Sequence, residues 1–507
     1  MASHALKHGP LDMYNQTLTE NLHPSGWINP EPAGRYNMVV IGAGTAGLVT
    51  AAGAAILGAK VALVERDLMG GDCLNFGCVP SKALIRSARA AAEVRDAGRF
   101  GVEVPPGTRV NFTAVMERMR KLRSQLSPID SANRFRGLGV DVFIGDGRFI
   151  APDCVEVDGK KLRFKRAAIA TGARAASLPI PGLAEAGYLT NETVFSLTEL
   201  PHRIAVIGAG PIGCELAQVF QRFGAEVTLL EVAAQVLIRE DRDAAERVER
   251  AMVRDGVNIV TGCKITGVQK RGTEKVIAIE HEGVRREIAI DEIIVGVGRV
   301  PAVEGLNLEA ASIEYDKQSG VKVDDYLRTT NPLVYAAGDV ASPYKFTHVS
   351  DAHARMILRN ALFFGRQRVS RLTIPWCTYT DPEIAHVGLY EAEAKQRGIE
   401  VSTYTQELSE VDRAVLDGET EGFVKVHLRK GSDQIVGATI VASHAGETIS
   451  ELTTSMVAGV GLGELGDVIH PYPTQADAIR RAAGLYTRTR LTSFVAGLMK
   501  RWFALTR

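Results

Sequence analysis

Two stretches of this chain repeat one design, and together they limit what it can fold into. The first is Met38-Val-Val-Ile-Gly42-Ala-Gly44-Thr-Ala-Gly47. The second is Arg203-Ile-Ala-Val-Ile-Gly208-Ala-Gly210-Pro-Ile-Gly213, with Gly208 lying 166 residues after Gly42. In each, an apolar β run enters a tight glycine turn that opens a helix. The first glycine permits the turn, the second admits backbone amides close to a pyrophosphate, and the third lets helix and strand pack closely. The helix start then presents its partial positive charge to the phosphates. Each unit continues into a second β run that ends in an acid, Glu65 in the first and Glu231 in the second.

A carboxylate in that place accepts from ribose hydroxyls. Either copy alone reads equally well as an ordinary βα turn. Two copies, each with its acid, point to two bound dinucleotides and to an α/β fold with two Rossmann-like domains. Glu231 would repel a 2′-phosphate, which favours NADH over NADPH, and the nearby Arg239 and Arg242 soften that preference. Met38 to Ala59 runs 22 residues without a charge, long enough to suggest a membrane span. Its five glycines and its division into a β run and an Ala-rich helix favour a buried βα unit instead.

Between the two copies lies Gly71-Asp-Cys73-Leu-Asn-Phe-Gly-Cys78-Val-Pro-Ser-Lys82. A dithiol beside a dinucleotide site suggests electrons passing from a cofactor into a disulfide. A zinc site is the alternative, but zinc usually takes ligands in close pairs, and Cys154, Cys214, Cys263 and Cys377 are scattered singly. Six cysteines in 507 residues do not make a secreted disulfide scaffold. With no basic-then-apolar leader pattern in residues 1–32, a reducing cytoplasm is the expected compartment. Lys plus Arg equals Asp plus Glu at 59 each, so no basic excess indicates a nucleic-acid partner.

The length predicts three or four domains. Residues 1–35 read as a loosely ordered extension, followed by a first dinucleotide domain over 36–184, completed by a central segment 301–370. The second dinucleotide domain spans 185–300. An α+β interface module covers 371–487, and a basic amphipathic segment 488–507 follows. Helices are expected over Arg86 to Arg99 and Phe112 to Leu126. Ala167 to Gly172, Ile293 to Arg299 and Tyr335 to Val340 read as strands running into turns.

With these motifs, Ala170-Thr171-Gly172, Ala337-Gly338-Asp339 and His470-Pro-Tyr472-Pro-Thr474, the chain resembles the class I flavoprotein (pyridine nucleotide) disulfide reductases over residues 36 to 487. The resemblance implies an FAD domain, an NAD(P)H domain, a central domain and a C-terminal homodimer interface. Gly42, Gly44, Gly47, Glu65, Thr171, Gly172, Gly338 and Asp339 would bind FAD. Gly208, Gly210, Gly213 and Glu231 would bind the nicotinamide nucleotide, and Gly298 and Arg299 would also contact a cofactor. Cys78 would lie against the flavin and Cys73 would face the substrate. Lys82 would pair with Glu215 near the flavin's reactive nitrogen. Lys82 and the helix start beyond Pro80 would hold a freed thiolate low in pKa.

The acceptor is where this sequence departs from much of the family. Glutathione reductase and dihydrolipoyl dehydrogenase carry a histidine where this chain has Tyr472, and a glutamate where it has Asp477. Tyrosine titrates near 10 and histidine near 6.5, so Tyr472 is a poor general base at neutral pH. Tyr472 and Tyr188 match mercuric-reductase-like members, in which Cys73 and Cys78 would hold and reduce a soft metal ion. No two cysteines are adjacent, so an ion would reach them directly rather than through the C-terminal Cys-Cys of familiar mercuric reductases. Pro211 stands where glutathione reductase has a tyrosine over the nicotinamide pocket. A reductase of a small disulfide, or a dihydrolipoyl-dehydrogenase-like enzyme, with His470 or water as proton source is the alternative; otherwise His470 is a packed or exposed turn residue. A flavin-bound redox sensor is a third reading. From Leu485 to Arg507 there are five basic residues and no acid, with apolar residues at helical spacing. A helix packed on the dimer is the favoured reading of that segment, and peripheral membrane contact the alternative.

Overall fold

The computed structural model describes residues 9–507. It divides into two compact units, Met1–Val232 with Gly262–Leu372, and Ala233–Thr261 with Thr373–Arg507.

In the first unit, β1 (Arg35–Ile41) and β2 (Val61–Glu65) flank the helix α2 (Thr45–Ile56), the short helix α3 (Gly71–Asn75) precedes α4 (Cys78–Asp96), and α5 (Phe112–Leu126) follows. The main sheet adds β3 (Val140–Ile144), β4 (Arg148–Ala151), β5 (Cys154–Val157) and β6 (Lys160–Ile169) in the order β3-β2-β1-β6-β5-β4, and Val334–Ala336 joins β6. β1 runs parallel to β2 and β6, with Val39 opposite both Ala62 and Ala167. Successive side chains alternate between faces. Met38, Val40, Val61 and Leu63 enter one core, and Val39, Ile41, Ala62 and Val64 enter the other. Burial on both faces is why these strands read as continuous apolar runs.

The second fingerprint repeats the arrangement. Arg203–Ile207 lies parallel to both Glu226–Leu230 and Glu292–Val295. The helix Pro211–Phe223 starts with proline in its first turn, where the missing N–H costs no helix hydrogen bond. The charge-free run Met38 to Ala59 divides between β1 and α2, and among the described residues no helix is long and apolar enough to cross a membrane.

The extension departs from its sequence reading. Its residues 1–8 lie outside the described residues, but Met13–Leu22 forms a helix, α1, rather than loose chain. Leu18 and Leu22 are fully buried in the core beneath the first fingerprint. The Asp12 side chain caps the helix by accepting from Asn15 N–H at 2.9 Å, and Arg120 reaches the same carboxylate. Further along, Trp27 Nε1 donates to the carbonyl of Val142, and Asn29 Nδ2 to that of Ile144. A second correction concerns α4, which begins at Cys78, before Pro80, and ends at Asp96.

In the second unit a five-stranded antiparallel sheet has the order Pro375–Thr378, Glu383–Gly388, Ile435–Ala442, Phe423–Arg429, Val401–Glu407. The helices Ala445–Ala458 and Asp477–Thr489 bury Ile449, Leu452, Ile479 and Ala482 in the core formed with this sheet. The helix Ser493–Leu505 buries nothing.

Leu18→Ala is expected to cost about 2–5 kcal/mol, the range for a truncated core leucine. A lowered thermal midpoint of the purified protein checks this. An unchanged midpoint would mean that α1 is not part of the folded core.

Candidate redox and dinucleotide sites

The two glycine turns are built alike. Gly42 has φ +100° and Gly208 φ +97°, a region open to glycine at little cost. A side chain on Gly47 or Gly213 would collide with the carbonyl of Gly42 or Gly208. Each acid closes its own turn: Glu65 Oε2 accepts from Ala43 N–H at 2.7 Å, and Glu231 Oε2 from Ala209 N–H at 2.6 Å. Gly44 and Gly210 stand at the N-caps of their helices without a side-chain cap, leaving first-turn N–H groups facing outward. Both cradles therefore fit a pyrophosphate.

The redox loop follows directly from β2. Gly70 and Gly71 turn the chain at positive φ into α3, which carries Cys73. The helix breaks at Phe76–Gly77, and Cys78 is the first residue of α4. The loop is pinned from inside: Asn75 Nδ2 donates to the carbonyls of Met69 and Gly71, at 3.0 and 2.9 Å. Arg123, buried on α5, donates to the Asn75 carbonyl at 2.8 Å and to Asn15 Oδ1 of α1 at 2.6 Å. The extension thus reaches the backbone between the two cysteines through one guanidinium.

Both cysteines are free thiols, Cys73 half-buried and Cys78 exposed. The hydrogen bond between them splits their acidities. It pushes Cys73 up, helped by burial, and it pulls Cys78 down to about 6 against the effect of burial. Thr347 Oγ1, 3.3 Å from Cys78 Sγ, and the charge of Lys82 add to the lowering. Cys78 and Thr347 each open a helix, so two positive helix ends meet at one sulfur. Lys82 Nζ lies 2.8 Å from Glu215 Oε2, joining α4 to the helix of the second fingerprint.

Arg299 organises the other side of the loop. Its guanidinium sits 3.0 Å from Asp72 and 3.2 Å from Asp339, and it donates to the Ala173 carbonyl at 2.7 Å. Burial pushes both carboxyls up, and the Arg299 charge opposes this. Arg299 Nε is buried with no hydrogen-bond partner among the described residues. Asn191 Nδ2 donates to Asp72 and to the Phe76 carbonyl, which brings the segment carrying half-buried Tyr188 against the redox loop. Thr171 Oγ1 donates to the Ala302 carbonyl. Gly172, Gly298 and Gly338 all adopt positive φ at the turns between these strands. Among the described residues no three His, Cys, Asp or Glu side chains are gathered to hold a metal ion.

Tyr472, His470 and Asp477 belong to the second unit, and the structure separates them into two groups. The exposed Tyr472 donates to Asp412 Oδ2 at 2.8 Å, and that hydrogen bond holds the phenol above its usual range. Arg481 links Asp412, at 3.2 Å, to Asp477. Burial pushes the Asp477 carboxyl up, but hydrogen bonds from Arg480 and Arg481 outweigh it and leave the carboxyl low. His470 lies apart: Nε2 is 2.9 Å from Glu451 Oε1, and the side chain is almost fully buried.

Sequence reasoning missed Asp72, Asn75, Arg123, Asn191 and Thr347. Asp72 and Asn75 lie inside the Cys73–Cys78 motif but have no spacing signal of their own. Arg123, Asn191 and Thr347 carry no local spacing signal, because their partners are 48, 119 and 269 residues away.

Residues 36–355 match the pyridine nucleotide-disulphide oxidoreductase family, and residues 374–483 match that family's dimerisation domain. The chain belongs to this family of flavin-dependent disulfide oxidoreductases, whose cofactors are FAD and a pyridine nucleotide, and its dimerisation domain makes the homodimer the expected assembly. It is 34% identical to a mercuric reductase of Bacillus cereus over 455 residues, covering 90% of this chain and 72% of that protein. It is also 34% identical to a dihydrolipoyl dehydrogenase of Thermus scotoductus, covering 88% of this chain and 96% of the relative. Among solved structures, the HOCl-induced flavoprotein disulfide reductase RclA from Escherichia coli superposes with a TM-score of 0.79 at 27% identity. That match covers 89% of this chain and all of RclA.

The Cys78 thiolate is present above its depressed pKa and is lost as pH falls through about 6. Thr347→Val removes one donor and should raise that midpoint by about one unit, since a hydrogen bond to a charged group contributes about 1.5 kcal/mol. The alkylation rate of reduced protein as a function of pH measures it. An unmoved midpoint would show that Thr347 does not act on Cys78.

Proposed function

We propose that this protein is an FAD-dependent NAD(P)H oxidoreductase that passes two electrons through Cys73 and Cys78 to a thiophilic metal ion, in the manner of a mercuric reductase. NADH becomes NAD⁺ and a proton, and Hg²⁺ becomes Hg⁰. The observation that carries this reading is Tyr472, an exposed phenol whose proton is held by Asp412. Reduction of a disulfide releases thiols that need protons, and a group that keeps its proton at neutral pH cannot cycle as acid and base there. Reduction of a metal ion releases no thiol. Mercuric reductases among the relatives support this reading, and RclA, solved as a Cu(II) complex, is a related reductase holding a metal ion.

FAD, when bound, supplies the two-electron relay between nicotinamide and sulfur. The turn Gly42–Gly47 with Glu65, and Thr171, Gly172, Gly338, Asp339 and Arg299, would hold FAD. The turn Gly208–Gly213 with Glu231 would hold the nucleotide, and Gly298 lies where the two sets of strands meet. Glu231 supports NADH as the preferred donor. Lys82 and Thr347 stabilise the Cys78 thiolate, leaving Cys73 as the sulfur that meets the acceptor. Soft thiolates suit a soft ion, and Tyr188 lies on the segment that Asn191 ties to the redox loop.

A small-disulfide reductase is the second reading, favoured by the His470–Glu451 pair, in which a carboxylate orients an imidazole. An acceptor panel with NADH and NADPH in parallel decides between them. We expect Hg²⁺-dependent NADH oxidation that falls roughly tenfold in Tyr472→Phe, the effect of about 1.4 kcal/mol of lost transition-state contact. Lipoamide and glutathione disulfide should remain inert. Robust lipoamide turnover abolished by His470→Ala would favour the second reading, and no turnover with any acceptor would favour a sensor.

A further inference from the structure

We propose that the segment 488–507 binds the surface of an anionic membrane, through the helix Ser493–Leu505. The helix lies beyond the residues matched to the family's dimerisation domain, and no residue in it is buried. It is nevertheless well formed, capped by the Thr492 side chain, which accepts from Val495 N–H. At about 100° per residue, Phe494, Val495, Leu498, Met499, Trp502 and Leu505 fall on one side, with Phe503 at its border, covering roughly half the circumference. Phe494, Trp502 and Leu505 are 80%, 63% and 83% exposed. The opposite side carries Ser493, Gly497 and Ala504. Lys500 also lies on that side, while Arg501 stands at one border of the apolar arc, where a long side chain can keep its charge in water while its stem lies along apolar surface.

The charge selects the occupant. Arg488, Arg490, Lys500, Arg501 and Arg507 are all exposed, and Leu485 to Arg507 contains no acid. The whole chain has equal numbers of acidic and basic side chains, so the remainder carries the opposite excess and does not itself favour an anionic surface. Attraction must come from this segment. A second copy covering the arc is the competing occupant, and the dimer state of the truncated chain in the test below reads it out. Anionic headgroups answer the basic border, and the upper acyl region answers the apolar arc, with tryptophan favoured at that depth. Thirteen residues rise about 20 Å, short of the roughly 30 Å of a bilayer core, so the helix lies in the interface and does not span it.

The test uses the FAD-loaded full chain, floated with vesicles of mixed phosphatidylglycerol and phosphatidylcholine and with vesicles of phosphatidylcholine alone. We expect flotation on the anionic vesicles, at least tenfold weaker on neutral ones and weakened by salt, with a blue shift of tryptophan emission that Trp502→Phe removes. Lys500→Glu should weaken binding about tenfold or more, and a chain ending at Thr489 should not float while keeping its dimer and NADH oxidation. Full-chain protein that stays in solution, or a truncated chain that floats equally, overturns the proposal. So does a truncation that converts the dimer to monomers, since the apolar arc would then be covered by the second copy.

Discussion

The ion pair between Lys82 and Glu215 joins the two halves of the chemistry. Lys82 lies one turn into the helix that starts at Cys78, and Glu215 lies one turn into the helix that starts at the second glycine fingerprint. Glu215 is buried, and a buried carboxylate deprived of its cation is costly, so each helix fixes the other's position. The sulfur pair and the second nucleotide turn thereby share one rigid frame. The same lysine lowers Cys78, so a single cation serves geometry and acidity together.

The rest of the redox site is held by long-range polar contacts of similar economy. Arg123 spans from α1 to the loop carbonyl of Asn75, and Arg299 spans Asp72, Asp339 and Ala173. Each guanidinium has several donors in a fixed fork, which lets one side chain set the spacing of separate segments. The two buried carboxyls beside Arg299 are both raised by burial, and Arg299 opposes this at both of them while Lys345 adds to that opposition at Asp339.

The α/β class and the family were legible in the sequence because their signals are local. A glycine turn must follow its strand, and the acid must end the next one. Phe112–Leu126 was legible for the same reason, a proline-free stretch bounded as the structure bounds it. The helix α1 was not. Its polar sequence, MYNQTLTENL, buries only Leu18, Leu22 and Asn15, and Asn15 is satisfied by Arg123, 108 residues away. The start of α4 was misplaced because the helix was set beyond Pro80, whereas Pro80 is its third residue and Gly77 caps a helix that opens at Cys78. In the second unit, the sequence set Tyr472 beside His470, but their side chains take different partners, Asp412 and Glu451.

The central claim is that reducing equivalents from the nucleotide reach the Cys73–Cys78 pair through a flavin lying against Cys78. Anaerobic addition of NADH to the FAD-loaded protein tests it most directly, read as the long-wavelength absorbance of a thiolate in contact with oxidised flavin. The account predicts that this band appears on NADH addition in the parent protein, is already present before NADH in Cys73→Ser, where Cys78 has no disulfide partner, and is absent from Cys78→Ser. A protein that shows no such band, or whose band is indifferent to Cys78→Ser, would contradict it.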